Sequence, residues 1–147
     1  MRVSRSISTL VFLVVSFAPC LAHHTAVIVN KENEVGKMTS AHLSRMVRGE
    51  IKKWPDGKSV VLILHKDSAG EMETLQRLNK MSADELKALL TAQKDSFTWV
   101  DTDADVVKLV QSTPGALGFV DVKSVNGSVN VVRVDGKLPM ESGYLPH

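Results

Sequence analysis

The residues best placed to do chemistry lie between Ser59 and Leu78. An apolar run, Val60-Val61-Leu62-Ile63-Leu64, meets His65-Lys66-Asp67-Ser68-Ala69-Gly70-Glu71 and then a helical pattern of Met72, Leu75 and Leu78. The order reads as strand, tight loop and helix. A small-residue loop that enters a helix leaves the first backbone N–H groups without intrahelical partners, which is the geometry that holds a phosphate, a sulfate or a carboxylate. His65, Ser68, Ala69, Gly70 and Glu71 are therefore the candidate ligand-binding residues. Asp67 and Glu71 act in the opposite sense. Negative charge at the positive end of a helix can satisfy the same N–H groups from within, so a closed anion site is the competing reading. Residue by residue the plainer roles are a hydrogen-bonded structural histidine, an N-cap serine and a glutamate that stabilises the helix start.

Other reactive groups in the sequence form no comparable set. His23 and His24 would stand at the N-terminus of a processed chain, where paired histidines can hold copper, but no second part of such a site follows and the pair reads as a frayed end. Asp101-Thr102-Asp103-Ala104-Asp105 imitates the start of a calcium loop. The sixth position is Val106 and the twelfth Ser112, where such a loop needs Gly and Glu, so the acids read as a helix cap. Trp54 and Trp99 flank apolar segments and read as core or rim packing. No nucleophile elbow or metalloenzyme spacing occurs, and the chain reads as non-enzymatic, without a cofactor or metal.

The elements that must position the loop alternate along the chain. Ala26-Val27-Ile28-Val29 is a short buried strand closing on Asn30. A helix capped by Thr39 or Ser40 buries Leu43, Met46 and Val47 and stops at Gly49. After the Lys52–Gly57 turn and the Val60–Leu64 strand, one helix runs from Gly70 to about Lys80. A second follows from the Ser82-Ala83-Asp84-Glu85 capping box, with Leu86, Leu89 and Leu90 on its apolar face. Phe97-Thr98-Trp99-Val100 is extended. A helix then carries Val106, Val107, Leu109 and Val110, Pro114-Gly115 stops it, and strands follow at Ala116–Val120 and Val129–Val134, the last after the Asn126-Gly127 turn. This alternation predicts an α/β domain: four or five strands in a mixed sheet flanked by helices, three layers in all.

Residues 1–22 read as a secretory signal. Arg2 and Arg5 are its basic start, Ile7 to Ala18 is an apolar stretch too short to span a membrane, and cleavage is expected after Ala22. Cys20 follows Pro19, a poor context for lipidation, so a lipid anchor is the weaker alternative. Without this segment the chain has 16 basic residues, the 18 in the sequence less Arg2 and Arg5, against 16 acidic ones, and it has lost its single cysteine. A neutral, cysteine-free domain spanning residues 23–147, exported to the periplasm or secreted, excludes disulfides and thiol chemistry and gives no basic face for nucleic acid.

Several of these segments occur in a familiar order. Ala26 to Asn30, the helix closing on Arg48-Gly49-Glu50-Ile51 followed by Trp54, the strand and loop up to Gly70, and Thr113-Pro114-Gly115-Ala116-Leu117-Gly118-Phe119-Val120 together resemble the phosphate-binding subunit of ABC uptake transporters, and more closely the small secreted members of that periplasmic binding-protein superfamily. The resemblance implies a type II periplasmic-binding fold at the length of one lobe. In full-length phosphate binders the loop reads Arg, two variable residues, then Gly-Ser-Gly-Thr, whereas here the matching positions hold His65 and then Ser68, Ala69, Gly70 and Glu71. A forked cation becomes an imidazole, one hydroxyl a methyl, and another a carboxylate that repels phosphate. The implied function is a solute-binding-like protein with weak or altered recognition of a small, phosphate-like anion. The alternative is a ligand-free module that partners a membrane transporter or sensor. A single lobe also implies that a homodimer or another protein completes the ligand enclosure.

Overall fold

The computed structural model describes residues 24–145, and the expected signal segment and His23 lie outside the described residues. Strand β1 (Thr25–Asn30) leads through the two-residue β2 (Lys37–Met38) into helix α1 (Ser40–Val47). Then come β3 (Val61–His65), α2 (Ala69–Asn79), α3 (Ala83–Ala92), β4 (Phe97–Val100), α4 (Asp103–Ser112), β5 (Ala116–Asp121), β6 (Val129–Val131) and β7 (Arg133–Val134). The main sheet has five strands in the order β4-β3-β5-β1-β6. β3 runs parallel to both β4 and β5, while β1 is antiparallel to β5 and to β6, so the sheet is mixed as the alternation of elements predicts.

Each strand at the centre of the sheet is apolar on both faces because helices cover both. On one side Leu43, Met46 and Val47 of α1, Leu75 and Leu78 of α2 and Leu86 and Leu90 of α3 pack with Val27, Val29, Leu62, Leu64, Leu117 and Phe119. On the other, Val106, Val107 and Val110 of α4 meet Ala26, Ile28, Ile63, Ala116 and Val120. These are the three expected layers. Gly118 lets α4 approach β5: a Cβ there would lie 2.6 Å from a Val106 methyl. Gly115, at φ +80°, turns the chain from α4 into β5 with its backbone against that of Ser59, and its carbonyl accepts the Trp54 indole N–H at 2.8 Å.

The caps explain where the helices begin. Thr39, Ser68, Ser82 and Thr102 each accept the N–H of the third residue of their helix, and Ser82 with Glu85 forms the full reciprocal box. Asn30, buried at the end of β1, donates its side-chain amide to the carbonyls of Val110 and Gln111 and so closes the other end of α4.

The C-terminal region differs from the sequence expectation. Val129–Val134 is two strands. β6 pairs with β1, the chain breaks at Val132, and β7 pairs in parallel with β2 in a small second sheet. Tyr144 makes the break possible. Its hydroxyl accepts the Val27 N–H at 3.0 Å and donates to the Val132 carbonyl at 2.8 Å, entering the ladder between β1 and the departing strand.

Candidate functional site

The loop between β3 and α2 opens at the C-terminal end of β3. Ser68 is the N-cap of α2 and its hydroxyl accepts the Glu71 N–H at 3.3 Å, while the Met72 N–H returns to the Ser68 carbonyl. The N–H groups of Ala69 and Gly70 have no partner among the described residues. Asp67 takes φ 60°, the left-handed conformation that folds the loop back, and it stays exposed.

Glu71 does not stabilise the helix start as its position in the first turn suggests. It is 4% exposed, and both of its carboxyl oxygens face the backbone N–H of His65, at 3.1 and 3.2 Å. The acid thus closes the loop onto the last residue of β3. Burial, with a smaller push from the Asp103 charge, raises the Glu71 carboxyl to about 8 against the pull of the His65 N–H.

His65 is held from the other side. Its Nδ1 lies 2.7 Å from Asp103 Oδ1, and because a carboxylate only accepts, Nδ1 carries the hydrogen. The second Asp103 oxygen accepts the Asp121 N–H at 2.8 Å and the Ser124 hydroxyl at 3.2 Å. Asp103 is the first residue of α4, and the parallel β3–β4 pairing brings that helix start beside the end of β3. In the sequence Asp103 reads as part of a helix cap. Its spacing to His65 carried no sign of contact, since only the crossover through α2, α3 and β4 joins them.

A depression of about 290 Å³ collects these groups. His65, Ser68, Ala69, Gly70 and Glu71 line it together with Thr25, Asp103, Phe119, Val120 and Asp121. All five candidate residues therefore meet in one place, and Asp103 and Asp121 join them from segments that the loop pattern did not include. Backbone N–H groups and one imidazole face three carboxyl-bearing residues. Among the described residues nothing is hydrogen-bonded to His65 Nε2, so Ser68 and His65 form no nucleophile–base pair, and no cluster of His, Cys, Asp and Glu is arranged to hold a metal ion. The polar groups around the depression can hydrogen-bond to a small ligand.

Solved structures share this architecture. An ABC-type phosphate transport receptor from Vibrio cholerae superposes with a TM-score of 0.65 at 20% identity, over 79% of this chain and 48% of its own. A Clostridium perfringens protein described as a phosphate ABC transporter substrate-binding protein, with phosphate bound, gives 0.64 at 26% identity over 77% and 45%. A phosphate-binding protein from Stenotrophomonas maltophilia gives 0.67 at 15% identity over 80% and 40%. The chain spans less than half the length of these proteins, corresponding to one of their lobes. No curated protein sequence matches it. The model of the PBP superfamily domain matches residues 17–138, most of the sequence, and the chain belongs to the periplasmic binding-protein superfamily.

Proposed function

We propose that this chain is an exported, non-enzymatic solute-binding-like protein in which the 65–71 loop keeps the place of an anion site and has weak or altered anion recognition. The observation that carries the reading is the Glu71 carboxyl against the His65 N–H. It puts an acid inside the loop whose counterparts in phosphate binders donate hydrogen bonds. Of the side chains around the depression, His65 alone can bear positive charge, against Glu71, Asp103 and Asp121. A dianion in that setting meets repulsion from Asp103 and Asp121, and from Glu71 once its raised carboxyl ionises, and lacks the forked cation that phosphate sites employ. The relatives that bind phosphate have a second lobe over the ligand, and here a homodimer or a transporter subunit would supply that cover. Among the described residues no helix is long and apolar enough to cross a membrane.

The closed loop also favours a second reading, a ligand-free module that partners a membrane sensor or transporter. Calorimetric titration of the processed protein with phosphate, sulfate and small carboxylates separates the two. Weak, saturable heat with one of them supports the altered site, silence with all supports the module, and sub-micromolar phosphate binding contradicts both.

A further inference from the structure

A second concavity, remote in chemistry from the first, lies along the β4 edge of the main sheet. We propose that β4 and the groove beside it dock an extended segment of a partner protein in which a short apolar stretch is flanked by acidic residues. The groove has a volume of about 720 Å³ between α2, α3 and β4, with Met72, Leu86, Leu90 and Trp99 as its apolar floor and wall. Trp99 is 37% exposed and lies edge-on against Phe97 at 6.1 Å between ring centroids, so the indole is fixed in place with one side open to solvent. A large aromatic ring held at the rim of an apolar groove is the kind of anchor that interfaces concentrate on.

The backbone beside that ring is open as well. β4 is the outermost strand, and the Lys66 N–H bonds to the Val100 carbonyl at 2.7 Å. Along a strand the peptide groups alternate sides, so Thr98 and Val100 face β3 while the N–H and C=O of Trp99 face outward. An incoming strand would bond to these groups and place every second side chain over the groove, the strand-addition mode of peptide recognition.

Charge selects the partner. Lys66, Lys87 and Lys94 border the groove and Asp67 is the only acid among its lining residues. A second copy of this chain pairing edge to edge would bring lysine rim against lysine rim. An acidic segment is attracted to it, and like-charge contacts exclude basic ones.

The test is calorimetry of the processed protein with a synthetic heptapeptide of valine and leucine flanked at each end by aspartates, compared with the same peptide carrying lysine for aspartate. Hydrogen exchange of the Trp99 amide is followed in parallel. The expected result is saturable micromolar binding of the aspartate peptide, at least tenfold weaker binding of the lysine peptide, and slowed exchange at Trp99. Lys87→Glu with Lys94→Glu, both exposed positions, should keep the thermal transition and reverse the preference. Absent or charge-independent binding, or an unmoved Trp99 amide, overturns the proposal. So does a dimer that already protects Trp99, which assigns the edge to a second copy, or saturable binding of decanoate without the peptide, which assigns the groove to a small amphiphile.

Discussion

The carboxyl of Glu71 receives the backbone N–H of His65, six residues earlier, so the acid of a helix's first turn completes the end of a strand. The cost is burial, which raises that carboxyl from 4.5 to about 8. Between these limits the folded protein holds a proton that the unfolded chain has released. Stability from this group is complete below pH 4.5 and is lost as pH rises through 8, at roughly 1.4 kcal/mol per pH unit. Glu71→Gln keeps a carbonyl oxygen for the His65 N–H and cannot ionise. Urea unfolding from pH 5 to pH 8 should show the variant gaining on the parent steadily. Parallel curves would mean that the carboxyl is not desolvated in solution.

Phosphate affinity is the second expectation. Each charge-assisted hydrogen bond in an anion site contributes roughly 1.5 to 3 kcal/mol, so replacing a forked cation and two hydroxyls while adding Glu71 should weaken binding by several orders of magnitude. The triple variant His65→Arg, Ala69→Ser, Glu71→Thr restores the donors, and Asp103 stands where it can orient the new guanidinium as it now holds the imidazole. Measurable phosphate heat in the variant and none in the parent is the expected pair of results. A silent variant would show that the missing second lobe limits affinity more than the side chains do.

Asp103 ties three segments together: the end of β3 through His65, the end of β5 through the Asp121 N–H, and the turn after it through Ser124. Asp103→Ala removes the acceptor from all three and should cost about 2 kcal/mol, within the range for leaving part-buried donors unpaired. Asp103→Asn keeps one carbonyl oxygen and should lose less. Equal unfolding midpoints for parent and alanine variant would show that water replaces the carboxylate without penalty.

What the sequence disclosed was local, and what it withheld depended on contacts between distant segments. Ser68 as N-cap, the Ser82–Glu85 box and the apolar stripe of α4 follow from spacings of three or four residues, and all three are in place. The five-strand sheet was legible because its central strands are apolar on both faces. The β2–β7 pair was not, since two residues at Lys37–Met38 carry no periodicity and find their partners almost a hundred positions later. The site divides in the same way. The loop residues were readable as a strand–helix junction, whereas the direction of the Glu71 side chain and the approach of Asp103 depend on tertiary packing. Nothing in the pattern marked Tyr144 as part of a sheet.

That tyrosine gives the most direct test of the C-terminal architecture. Its hydroxyl fills the gap in the ladder where β6 leaves β1, with Val27 as donor and Val132 as acceptor, and the residue is buried. Tyr144→Phe keeps the ring packing and strands both backbone groups away from water, so it should destabilise the protein by about 1 to 3 kcal/mol. Burial also pushes the phenol from 10 up to about 12, although the Val27 N–H draws it down. The parent's advantage over the phenylalanine variant is therefore full below pH 10 and is lost as pH rises through 12, because the unfolded chain ionises first. Unfolding by urea at pH 7 and at pH 11 measures both effects. If the variant matches the parent at pH 7, the tail containing Tyr144 is not bonded into the sheet in solution, and the break at Val132 needs another explanation.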